Sequence, residues 1–193
     1  NFKDQKADEE MKGAVQDDDQ VASAAKKINK IFVIDHQFAL NQIDILENCD
    51  ILQNVVLSDT VLKYLHRKNI QSFHGLRNTL EQDSRCFYYF YNENFKDTFV
   101  DDQEDPATKK LLEGKGLDWK LHYKISHVFD YYHKHFQGMT DEENCVYLLT
   151  DCSQSKHIYK KMLKDKYTKA FMSKQIIDLN DYILMNQELY PEL

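Results

Sequence analysis

The stretch KIFVID, residues 30–35, decides the fold. Four apolar residues, β-branched or aromatic, stand between two charges. Such a run reads as a strand buried on both faces, the signature of a parallel sheet. Working outward, Phe38, Leu40, Ile43, Ile45 and Leu46 follow at irregular helical spacing. Residues 53–57 (QNVVL) repeat the buried-strand pattern, and Ser58, Asp59 and Thr60 offer a helix cap before Val61, Leu62 and Leu65. Phe73, Leu76 and Leu80, three and four apart, extend a helix. Residues 85–91 (RCFYYFY) predict a third strand and 144–149 (NCVYLL) a fourth. A long helix over 117–136 carries Leu121, Ile125, Val128, Phe129 and Tyr132 on one face. Further helices are predicted over 155–163 and 176–186, with a last short strand over 167–172 and a long acidic loop over 92–116. Strands alternating with helices give an α/β domain with a mainly parallel central sheet flanked by helices.

The chain has 193 residues, 42% of them hydrophobic, enough for one domain with a sizeable core. Residues 1–20 carry seven acids against three lysines and no apolar period, so they read as an acidic disordered arm before a domain spanning 21–193. That arm contributes much of the net charge of -7, which argues against bulk electrostatic capture of nucleic acid. Within the domain a short helix is expected over 21–30. No apolar run is long enough for a membrane span, so no membrane partner is expected. Cys49, Cys86, Cys145 and Cys152 form no CxxC pair, which speaks against a cysteine zinc site and for a reducing compartment. The first residue is Asn1, and the chain reads as a fragment of a longer protein.

In an open parallel sheet, sites lie at the carboxyl ends of strands. Two predicted strands end in an aspartate, at Asp35 and at Asp151. If those strands are neighbours, the two carboxylates share one crevice and suit hard cations such as Mg²⁺ or Mn²⁺. Such ions activate water and stabilise phosphoryl transfer. The alternative is that each Asp caps the helix after it. The lysines at 156, 160, 161, 164 and 166 form the best basic face, and the aromatic run at 87–91 offers rings for stacking or for the core. His133 and His135, two apart on a helix, do not converge, and His122 with Cys152 is a weaker soft-metal pair.

Residues 35–46 (DHQFALNQIDIL), then QNVVLSDTVL, FYYFYNENFKDTFV and YLLTD resemble, in order and spacing, the PIN domain at the N-terminus of the catalytic, ribonuclease-II-like subunit of the eukaryotic RNA exosome. The resemblance covers about residues 31–193. It implies a PIN fold, endoribonuclease ancestry, a role in RNA processing and decay, and docking on the proteins of the exosome core ring. It also implies a location in the nucleus, with the cytoplasm second. Active members hold a divalent metal on four acidic residues. Asp35 matches the first, but the second falls at Tyr64, the third near His122, and the fourth at Cys152 with Asp151 beside it. The catalytic set is therefore Asp35 and Asp151, with Asp118, one helical turn before His122, as a stand-in. Mg²⁺ or Mn²⁺ would bind weakly on Asp35 and Asp151. Two functions follow: docking of the larger exoribonuclease with endonuclease activity weak or lost, or metal-dependent cleavage of single-stranded RNA. Asp59 reads as a helix cap, and Asp118 equally as a first-turn carboxylate favoured by the helix dipole.

Overall fold

Five short strands pair into one sheet in the order β3-β2-β1-β4-β5, every pairing parallel. They are β1 (Ile31–Ile34), β2 (Val55–Ser58), β3 (Phe87–Phe90), β4 (Val146–Thr150) and β5 (Ile176–Asp178). The computed structural model describes residues 30–49, 52–82, 85–100, 106–136 and 145–187. The acidic arm and nearly all of the helix expected over 21–30 lie outside the described residues. Strand β1 is central and wholly buried, as its continuous apolar run requires. Phe32 sits opposite Val55 on one side and Tyr147 on the other, and Ile34 opposite Leu149.

Nine helices connect and cover these strands: α1 (His36–Asn41), α2 (Ile43–Asn48), α3 (Asp59–Lys68), α4 (Ile70–Leu80), α5 (Pro106–Leu112), α6 (Leu117–Phe136), α7 (Ser153–Leu163), α8 (Lys169–Gln175) and α9 (Leu179–Gln187) among the described residues. Four of the helix starts have a local cause. Asp35 caps α1 by accepting from Phe38 N at 2.6 Å. Ser58, not Asp59, caps α3, and Asn69 and Thr168 cap α4 and α8. The Asp59 carboxylate accepts instead from the Tyr89 hydroxyl. Arg85, nearly buried, closes α2 by donating to the carbonyls of Leu46, Glu47 and Cys49 at 2.8–3.0 Å. The core unites β1, β2 and β4 with Phe38, Leu65, Leu76, Ile125, Phe129 and Tyr159.

Two readings are revised. The strand expected over 167–172 falls largely on α8, because Thr168 accepts from Phe171 N and starts a helix there. The strand comes later, at Ile176–Asp178, where Leu148 of β4 meets Ile176. The segment 92–116 is not one loop. Asn92 is buried and bonded to Thr60, Thr98 donates to the Asn92 carbonyl at 2.8 Å, and α5 follows. Strand β3 does not alternate strictly: Phe87 and Phe90 are buried while Tyr88 and Tyr89 are exposed, as an edge strand allows. No helix of the described residues is long and apolar enough to cross a membrane.

The chain runs from β1 to β2 on one side of the sheet, and β4 lies on the other side of β1. The order reverses between β1 and β4, so their carboxyl ends open into a crevice.

Candidate functional site

Asp35 follows β1 directly, and its amide donates to Leu149 O of β4 at 3.1 Å, which places it in that crevice. It is fully buried. One carboxylate oxygen caps α1, and the other, Oδ2, has no hydrogen-bond partner among the described residues. Burial pushes its pKa up to about 8, and the charges of Asp151 and Asp118 push the same way against the amides of Phe38 and Gln37.

Two imidazoles stand beside it. One ligating atom each from Asp35, His36 and His122 lies within 4.8 Å of the others, and all three residues are buried. His36 begins α1, and its Nε2 meets Asp118 Oδ1 at 2.8 Å. His122 lies one turn after Asp118 on α6, and its Nδ1 meets the Asp118 carbonyl at 2.8 Å. A carbonyl only accepts, so His122 Nδ1 donates, leaving its lone pair on Nε2. The Asp118 carboxylate accepts from His36 in the same way. The free ring atoms, His36 Nδ1 and His122 Nε2, are buried with no hydrogen-bond partner among the described residues. Burial draws the His36 pKa down to about 4, opposed by Asp118, and lowers His122 as well. Both rings are therefore neutral at pH 7.

The two rings are nearly perpendicular, with centres 4.7 Å apart. Tyr64 packs on His36 at 4.9 Å and Tyr159 on His122 at 4.8 Å. Tyr159 is fully buried and its hydroxyl has no partner among the described residues.

The sequence candidates are thus brought to one end of the sheet in different roles. Asp118 is half exposed and bonds His36 and, at 2.7 Å, Gln37 Nε2. Its partial burial alone would raise it, but the bonds from His36 and Gln37 outweigh that and hold its carboxyl below the usual range. Asp151 accepts from Asn41 Nδ2 at 3.0 Å and Gln42 Nε2 at 2.7 Å, so both of its oxygens are engaged at the far end of α1. It raises the Asp35 pKa but is not in the cluster with the two histidines. Cys152 is the first residue before α7, and its thiol contacts Ser155 rather than His122. Of the basic face, Lys156 pairs with Asp178 and Asp181, and Lys166 with Asp130. His36 and Tyr159 were not singled out from sequence. The only local signal for His36 is its place immediately after a strand-ending Asp.

A pair of hard cations held by four carboxylates does not fit this crevice. The buried donor set around Asp35 is two imidazoles and one carboxylate, with Tyr64 on the near wall.

No protein-family profile matches the chain. It is similar to a curated plant protein, Exosome complex exonuclease RRP44 homolog A of Arabidopsis thaliana, with 39% identity over 84 residues. That match takes in 43% of this chain and 9% of the plant protein, so the chain spans a small part of that relative's length. Among solved structures it is similar to the PIN domain of RRP44 from T. brucei, with a TM-score of 0.59 and 14% identity over 84% of each chain. The fold is that of a PIN domain, as the sequence resemblance implied.

Proposed function

We propose, from the premise that a PIN fold with this sequence likeness is a module of the exosome's catalytic ribonuclease, that the chain mainly docks that enzyme on the exosome ring, its own endonuclease activity weak or lost. The observation that carries the reading is the surround of Asp35. Tyr64 and His122, where the family has acids, both pack on His36 beside that carboxylate. Without those acids the crevice lacks the negative charge that binds a hard-cation pair and orients water on a phosphodiester.

A docking role is also supported by the edge of the sheet. Tyr88, Tyr89 and Tyr91 on and just after β3, and Phe95 and Phe99 in the turns that follow, are exposed. Aromatic anchors of this kind concentrate the binding energy of protein interfaces. RNA contacts are secondary in this reading, because the net charge of -7 offers little counterion release. Action in the nucleus, and secondarily the cytoplasm, goes with it.

The test has two arms at physiological salt. The chain is captured against reconstituted exosome ring, and a circular single-stranded RNA is incubated with it and millimolar Mn²⁺. Ring binding with the circle intact is expected. Linearisation of the circle that is abolished by Asp35→Asn, without ring binding, would overturn the docking reading in favour of the endoribonuclease.

A further inference from the structure

We propose that Asp35, His36 and His122 form a single-ion site that takes a divalent transition ion of the zinc class in preference to Mg²⁺. The inference rests on side-chain geometry alone and stands whether or not the chain docks on an exosome.

Three buried side chains each present one atom without a hydrogen-bond partner among the described residues: Asp35 Oδ2, His36 Nδ1 and His122 Nε2. All three residues are fully buried. An unpaired buried polar atom is costly, and neither ring nitrogen is a donor in the tautomer the hydrogen bonds dictate. A cation satisfies all three at once. The residues have ligating atoms within 4.8 Å of one another, close enough to converge on one ion after a small inward shift. With metal–nitrogen bonds of about 2.1 Å, two imidazoles on one ion hold their ring centres roughly 4.5–5.5 Å apart. The His36 and His122 centres are 4.7 Å apart.

The outer partners are those of metal-binding histidines. Such a ring donates its second N–H to a carboxylate or carbonyl, which fixes the lone pair on the nitrogen facing the ion. Asp118 supplies both acceptors, its carboxylate to His36 and its carbonyl to His122. Imidazole donors suit zinc-class ions, whereas Mg²⁺ demands oxygen and gives up its water reluctantly. Three protein ligands leave one position of a tetrahedral ion open to water or to a ligand.

The test uses the whole chain stripped of metal with a chelator. Co²⁺ is titrated and followed by its visible d–d absorption, then displaced with Zn²⁺ or Mg²⁺. One Co²⁺ per chain is expected, without the intense near-ultraviolet band of cysteine thiolate ligation. Zn²⁺ should displace it, and a hundredfold excess of Mg²⁺ should not. His36→Asn and His122→Asn should each weaken Co²⁺ binding by at least about 30-fold with the far-ultraviolet circular dichroism unchanged, and His135→Asn should have no effect. Should both variants lose their fold, Asp118→Asn decides, because that side chain is half exposed: a loss of about 10-fold supports the site. Mg²⁺ competing as well as Zn²⁺, or Co²⁺ affinity unchanged in the folded variants, overturns it.

Discussion

The Asp118 carboxylate and the His36 imidazole meet at 2.8 Å although 82 residues separate them in the chain. Asp118 lies in the first turn of α6 and His36 opens α1, so this one bond ties the first turns of two helices together. Through its carbonyl, Asp118 also sets the ring of His122. One half-exposed residue thereby orients two buried ones.

His122→Asp should narrow the preference for Zn²⁺ over Mn²⁺. The substitution exchanges a nitrogen donor for an oxygen donor at the position where the sequence resemblance calls for an acid. Zn²⁺ affinity is expected to fall by more than about tenfold while Mn²⁺ affinity holds or rises. Competition calorimetry with the two ions measures the change.

Arg85→Met should destabilise the domain by about 2–4 kcal/mol, because it leaves the carbonyls of Leu46, Glu47 and Cys49 without their donor. Methionine keeps much of the volume, so the loss reads hydrogen bonding more than packing. Urea unfolding followed by circular dichroism gives the value.

Asn92→Ala should cost about 1–3 kcal/mol. Asn92 is buried, accepts from Thr60 N and donates to Thr60 Oγ1, pinning the turn after β3 to the first turn of α3. Amide hydrogen exchange should rise first across 92–100, ahead of the central strands.

Asp130→Asn should lower stability at neutral pH by about 2 kcal/mol, and the difference should vanish in acid. Burial alone would raise this carboxyl, but Lys134, Tyr167 and Lys166 bond it at 2.6–2.9 Å and hold it down to about 2. His127 and His133 lie on the same helix and are drawn below their ordinary values, chiefly by burial. A carboxyl depressed in the fold stabilises it above the unfolded value of 3.8 and loses that contribution as the pH falls toward 2. Thermal unfolding of parent and variant from pH 7 to pH 2 should converge at the acid end.

The strands that build the centre of the sheet were legible because each is a short continuous apolar run: KIFVI, QNVVL and VYLL. Strand β5 was not. Its three residues leave little signal at an edge, and the two isoleucines at 176 and 177 flow without a break into the helix that follows. The segment before it was misread because Tyr167, Phe171 and Met172 suit a strand locally, while one Thr168 cap makes most of that segment a helix. At the site, Asp35 was legible from its place at the end of a strand. The part played by His36 was not, since it depends on Asp118, 82 residues away and brought close only in the folded chain. His122 was visible chiefly as an acid replaced.

The central pairing of β1 with β4 bears on how the protein is made. Asp35 and His36 leave the ribosome with the first strand, whereas β4 follows only after on the order of a hundred further residues. Until it does, one side of β1 is an open apolar edge of the kind that invites pairing with another chain. A product stalled after β3 should therefore lack the crevice entirely and depend on chaperones, and completion of β4 is the step of synthesis that covers this edge and forms the crevice.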